Sequence, residues 1–122
     1  MSAERGTRLT ERTRDFALQV IRLYSALPKS TVAQVIGKQM LRAGTSVGAH
    51  YREALRGRSD AEFISKLEGA LQELEETLYW LELAMAERLA PEARLSALCS
   101  EADQLAAMLV ASVKTVKRRR GA

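Results

Sequence analysis

Between Phe63 and Met85, apolar residues recur at three- and four-residue steps: Phe63, Leu67, Ala70, Leu71, Leu74, Leu78, Leu81 and Met85. That period puts them on one face of an α-helix and does not fit a strand. Just before it, Ser59-Asp60-Ala61-Glu62 is a capping box: a Ser hydroxyl for the amide three residues on, and a carboxylate to return the bond. A helix of about 60–88 with one continuous apolar stripe must bury that stripe against other elements.

The rest of the chain supplies the partners. Phe16, Val20, Leu23 and Leu27 share a face of a helix over about 10–27, which Pro28 ends. Ser30 is an N-cap for a helix over about 31–56, with Val32, Val35, Ile36, Gln39, Met40, Ala43, Val47, Tyr51 and Ala54 in helical period and Gly57 as its stop. Pro91 and Glu92 open a fourth helix, about 91–118, striped by Leu95, Leu98, Ala102, Leu105, Ala106, Leu109, Val113 and Val116. Only 5% of residues are aromatic, which argues against a β-sandwich or barrel. Short turns between four helices predict an all-α, antiparallel, up-down-up-down four-helix bundle, one domain over residues 1–122 with flexible basic termini.

The middle of the second helix is odd. Gly37, Leu41, Gly44 and Gly48 lie along one side of it, although glycine costs roughly 1 kcal/mol against alanine in a helix interior. Small residues on a face let another backbone approach closely, within the bundle or between subunits. The spacing matches neither a P-loop nor a dinucleotide fingerprint. Some large apolar groups also lie beside the stripes: Ile21 and Tyr24 on the first helix, and Tyr79, Trp80 and Leu83 on the third. Clustered groups of this kind point to association, although a wide core face with a few exposed apolar residues accounts for them too. Together with Gly44 and Gly48 they are the candidate oligomer interface.

Charge is polarised along the chain. Residues 15–58 carry a net +5, residues 59–103 a net −8 and residues 104–122 a net +5. Arg52, Arg56 and Arg58 crowd the end of the second helix; Lys114, Lys117, Arg118, Arg119 and Arg120 crowd the end of the fourth. In an up-down-up-down bundle both even helices finish at one pole, where the two clusters would meet. That convergence points to polyanion binding, although a solvated tail and helix-dipole compensation account for the same charges.

Gln39, Arg42, Ser46, His50 and Glu53 make a polar strip on the second helix. It forms either a buried hydrogen-bonded network, with Arg42 paired to Glu73 or Glu76, or the wall of a ligand groove. Catalysis has little support: Cys99 is the lone cysteine, in an apolar helical pattern, and His50 is the lone histidine. No metal cluster, phosphate loop or nucleophile-base pair can be assembled. The expectation is a non-enzymatic protein without metal or cofactor. With no apolar run long enough to span a bilayer and no signal-peptide pattern, it is expected in the cytoplasm, away from membranes.

The stretch RAGTSVGAHYREALRGRSDAEFISKLEGALQELEETLYWLELA (Arg42 to Ala84) resembles the four helix bundle protein family. That family includes proteins encoded in intervening sequences of bacterial 23S rRNA genes and the accessory variability determinant protein of diversity-generating retroelements. His50 stands where the family usually has Asn. The resemblance implies a bundle that assembles as a homo-oligomeric ring, a homopentamer. For the retroelement member it implies a basic barrel that binds nucleic acid and a reverse transcriptase. Arg42, Arg52, Arg56 and Arg58 lie in the matching segment and join the candidate nucleic-acid contacts. Two functions follow as expectations. One is an oligomer that binds RNA, DNA or a ribonucleoprotein or reverse-transcriptase partner through basic surfaces. The other is a structural or protein-protein adaptor whose charges serve solubility and subunit pairing.

Overall fold

The computed structural model describes residues 3–121, with side chains from Arg8 onward; the expected flexible basic termini lie in part outside the described residues. Four helices account for nearly all of it, and no strand occurs among the described residues: α1 (Ala3–Ala26), α2 (Thr31–Leu55), α3 (Asp60–Ala86) and α4 (Glu92–Gly121). α2 packs on α1 and α3, α3 packs on α4, and α4 closes against α1, while the diagonal pairs stay apart. The four stripes meet in the centre, where Phe16, Met40, Tyr51, Leu67, Leu74, Leu81, Leu95, Leu105 and Leu109 are fully buried.

Contacts between neighbours fix the register. Gly37 lies against Tyr24 and Leu27, Gly44 against Val20 and Gly48 against Thr13. Arg42 reaches Glu73 and Glu76, and Glu53 reaches Lys66. Across the α1–α2 and α2–α3 contacts, residue numbers rise along one helix as they fall along the other.

The ends of the helices follow local chemistry. Ser30 Oγ accepts from the Ala33 amide and Ser59 Oγ from the Glu62 amide. The Glu62 carboxylate makes no return bond, so only the hydroxyl half of the capping box forms. α1 starts earlier than about residue 10, because buried Leu9 and Thr13 carry its stripe another turn towards the N-terminus. α3 stops at Ala86 rather than near 88. There Arg88 adopts a left-handed φ of 53°, while the Leu89 amide donates to the Ala84 carbonyl and the Arg88 amide to that of Met85. This is a Schellman turn with arginine in the position that usually takes glycine. α4 continues to Gly121 instead of fraying near 118; Arg118, Arg119 and Arg120 in its last turn complement the negative end of the helix dipole.

Two readings of the second helix need correction. Val32 and Val35 are more than half exposed and Gln39 is exposed. Val32 and Val35 each precede a buried residue, Ala33 and Ile36, by one position, which turns them about 100° away from the core. Gly44 and Gly48 are buried against α1 of the same chain, so they close an intrachain contact and are not exposed to another subunit. Gly57 does end α2, but without a positive φ. Its role is steric: a Cβ there would lie 3.1 Å from the Ala54 carbonyl oxygen and 3.2 Å from the Phe63 amide nitrogen.

Candidate functional site

The close approach of Gly57 to Phe63 draws the α2–α3 turn tightly over the first turn of α3. The last turns of α4 rise beside it, and the two border one cleft, lined among others by Leu55, Arg58, Asp60, Phe63, Val116 and Arg119. Arg58 from the turn and Arg119 from α4 therefore share one site, which is the expected meeting of the two basic clusters. Arg52, Arg56, Lys114, Lys117, Arg118 and Arg120 are exposed on the same ends of α2 and α4, and Lys114, Lys117 and Arg118 line a separate depression with Ala111 and Thr115. Of these, Lys117 alone has an acidic partner among the described residues, Glu68 at 3.6 Å. Arg118 donates to Thr115 Oγ1 of its own helix. Arg8 belongs to the same pole, because Thr13 packs beside Gly48 and the start of α1 lies next to the end of α2. The sequence alone placed no role on it; the register of α1 against α2 was the signal.

Arg42 lies elsewhere. It is 13 positions before Leu55, roughly 20 Å down α2. Nη2 donates to Glu76 at 2.7 Å and Nη1 to Glu73 at 3.3 Å. The hydrogen bond that Arg42 donates to Glu76, then the charge of Glu73, raise the pKa of Arg42 above its ordinary value. The pairing expected from the sequence is present, but the arginine is half exposed, so the network lies on the surface and is not buried. Ser46 Oγ donates to the Arg42 carbonyl, and Glu53 is drawn below the usual carboxylate range by its hydrogen bond from Lys66. His50 packs over Gly69, where a Cβ would lie 3.3 Å from His50 Nδ1, and that nitrogen is buried without a hydrogen-bond partner. Through Arg42 and Glu53 the strip joins α2 to α3.

A further ion pair, not anticipated from sequence, fastens α1 to α4. Arg12 Nη2 and Nε donate to the two oxygens of Glu101 at 2.6 and 3.1 Å, and Nη2 also reaches Gln104. Both side chains are about three-quarters covered, at 24% exposure. Bidentate geometry with partial burial makes this pair stronger than an open surface pair. A double-mutant cycle with Arg12→Ala and Glu101→Ala, followed by urea unfolding, is expected to return a coupling of about 1 kcal/mol.

The apolar candidates divide. Ile21 and Tyr79 are exposed, at 41% and 54%. Trp80 and Leu83 are half-buried and pack on the core. Tyr79 and Trp80 meet edge to face with centroids 5.0 Å apart. Tyr24 is half-buried, donates its hydroxyl proton to Gln34 Oε1 and covers Gly37, so it serves the α1–α2 contact. Burial pushes the Cys99 thiol up, with Asp103 and Glu82 adding to the shift. Among the described residues no group of three or more His, Cys, Asp or Glu is placed to hold a metal, and no helix is long and apolar enough to cross a membrane.

No curated protein matches this chain. A crystal structure of a protein of unknown function from the S23 ribosomal protein family of Bacteroides thetaiotaomicron superposes with a TM-score of 0.85 at 33% identity. The match covers 90% of this chain and 98% of that one. The sequence profile of the 23S rRNA-intervening sequence protein family matches residues 6–111, the greater part of all four helices, including the motif-bearing stretch from Arg42 to Ala84. The chain belongs to the 23S rRNA-intervening sequence protein family.

Proposed function

We propose that this protein is a non-enzymatic, ring-forming four-helix bundle of antiparallel, up-down-up-down topology, which binds nucleic acid, or a ribonucleoprotein or reverse-transcriptase partner, through one basic pole. The observation that carries this reading is the convergence of Arg58 and Arg119 on one cleft, within a field of exposed Arg and Lys from α1, α2 and α4 that has few acidic partners. Such a surface attracts phosphates and gains affinity by releasing their counterions. The opposite sense of residue numbers across neighbouring helices supports the topology. Exposed Ile21 and Tyr79, with Trp80 and Leu83 at the edge of the core, support self-association, and a pentamer is the ring size that the family resemblance implies.

The same apolar groups favour the second reading, a structural or adaptor oligomer whose poles need no nucleic acid. Light scattering combined with titration of structured RNA and duplex DNA at several salt concentrations separates the two. The expected result is a ring whose affinity falls steeply and log-linearly with salt. A ring that binds neither polymer at low salt moves the function to the adaptor, and a monomer removes the assembly from both.

A further inference from the structure

We infer that the cleft between the α2–α3 turn and the last turns of α4 seats one unpaired nucleotide of a single-stranded nucleic acid. This rests on the nucleic-acid reading and adds to it which form of the polymer is preferred and which residues make the choice. The cleft encloses about 370 Å³, within the range that holds small ligands. Its walls differ in chemistry. Arg58 and Arg119 border it from separate elements, and neither has an ion-pair partner among the described residues. Two unpaired guanidinium groups at one cleft are a setting for a phosphate, which can accept from both.

A phosphate alone leaves the rest of the cleft unused. Leu55, 44% exposed, and the half-buried Phe63 give it an apolar wall. A duplex backbone has nothing to place there, because its bases are stacked inside the helix. A single strand has a free base beside every phosphate, and free bases stack on aromatic and apolar side chains. Asp60 borders the same cleft and is not ion-paired. Its carboxylate repels a bare anion but accepts from hydroxyl and amino groups, which a nucleotide carries next to its phosphate. Phosphate, base and hydrogen-bond donor at one site together describe a nucleotide unit better than an inorganic anion or a duplex.

The test measures fluorescence anisotropy of a labelled twelve-nucleotide single strand and its duplex on the intact oligomer, over a series of salt concentrations. Leu55→Ser changes an exposed position and Phe63→Leu keeps an apolar side chain, so both should fold, which melting by circular dichroism checks. Each variant is expected to weaken single-strand binding about tenfold while leaving duplex binding within about twofold. The Arg58→Ala/Arg119→Ala double variant is expected to flatten the single-strand salt slope by roughly 1.4. If wild type binds both polymers and Leu55→Ser and Phe63→Leu leave their ratio unchanged, the nucleotide seat is overturned while the nucleic-acid reading stands. If inorganic pyrophosphate competes as well as the oligonucleotide, the cleft is an anion site and the seat is again overturned. If neither polymer binds at any salt concentration, the nucleic-acid reading falls and the seat falls with it.

Discussion

Gly44→Leu is expected to destabilise the protein by about 3 kcal/mol, the upper end of the usual cost of overpacking a core. A Cβ at Gly44 would stand 2.9 Å from both Cγ atoms of Val20 and 3.2 Å from its Cβ. Val20 is fully buried and, being β-branched, has no second rotamer ready to receive the clash. α1 must therefore move as a body or the core must open. Even Gly44→Ala should be net destabilising, because the helix-propensity gain of roughly 1 kcal/mol is outweighed by the contact with Val20. Gly48 gives the contrast. There a Cβ would lie 3.3 Å from Thr13 Oγ1, with the next atoms at 3.5 and 3.6 Å, close to ordinary contact. Gly48→Ala should be neutral or stabilising, and the mass in solution should not change, because the contact is internal to one chain. Urea unfolding of the three variants, with light scattering on the folded ones, tests the order. A Gly44→Leu protein as stable as wild type would mean that α1 is not held where Val20 places it.

That contrast shows where reading the sequence alone stops. The apolar stripes of Phe16 to Leu27, Ile36 to Ala54, Leu67 to Leu81 and Leu95 to Val116 identify four helices and most of the core, since helical period is a property of each segment by itself. Gly44 announces that something comes close to α2. It cannot say what, because the reason is steric and any small-residue face looks the same whether it meets α1 or another subunit. Val32 and Val35 failed for a related reason. At the start of a helix, a position one step from the buried face fits the period almost as well as the face itself, and only the partner helices decide. The end of α3 was missed because Arg88 takes a conformation that glycine usually signals.

The candidate site was legible in its charge and not in its shape. The expectation that the ends of α2 and α4 share a pole needed only helix order, and the cleft between Arg58 and Arg119 bears it out. The pairing of Arg42 with helix 3 was foreseen too, because an arginine facing a run of glutamates across a helix seam finds one. The same pairing gives Arg42 two acidic partners across the α2–α3 seam, away from the pole. Leu55, Asp60 and Phe63 carried no functional signal in the sequence. Phe63 belongs to a core stripe and Asp60 to a capping box, and each already had a sufficient local reason to be there. Their nearness to Arg119 depends on a tertiary contact that Gly57 makes possible, and no local pattern encodes it.

Replacing Arg118, Arg119 and Arg120 together with alanine is expected to weaken nucleic-acid binding roughly a hundredfold at low salt and to flatten the salt slope by about 2.7 on duplex DNA. All three are exposed on the last turn of α4 and none has an acidic partner among the described residues, so each is free to meet a phosphate. The chain carries a formal net charge of only +4, and the triple change would bring it to about +1, so a loss of overall attraction must be separated from a loss of the pole. Lys29 and Lys38 provide the control. Both are exposed, and the register that sets Gly37 beside Tyr24 and Leu27 places them towards the opposite end of the bundle. Lys29→Ala/Lys38→Ala removes comparable charge from the wrong place. If the pole is the binding surface, that variant keeps most of the affinity and a salt slope within about one of wild type. If both variants lose affinity in proportion to charge alone, attraction is diffuse and the convergence at the α2–α4 end has no special part in it. If neither variant changes binding, the polymer meets another face, and the arginines of α4 serve its helix terminus by complementing the dipole.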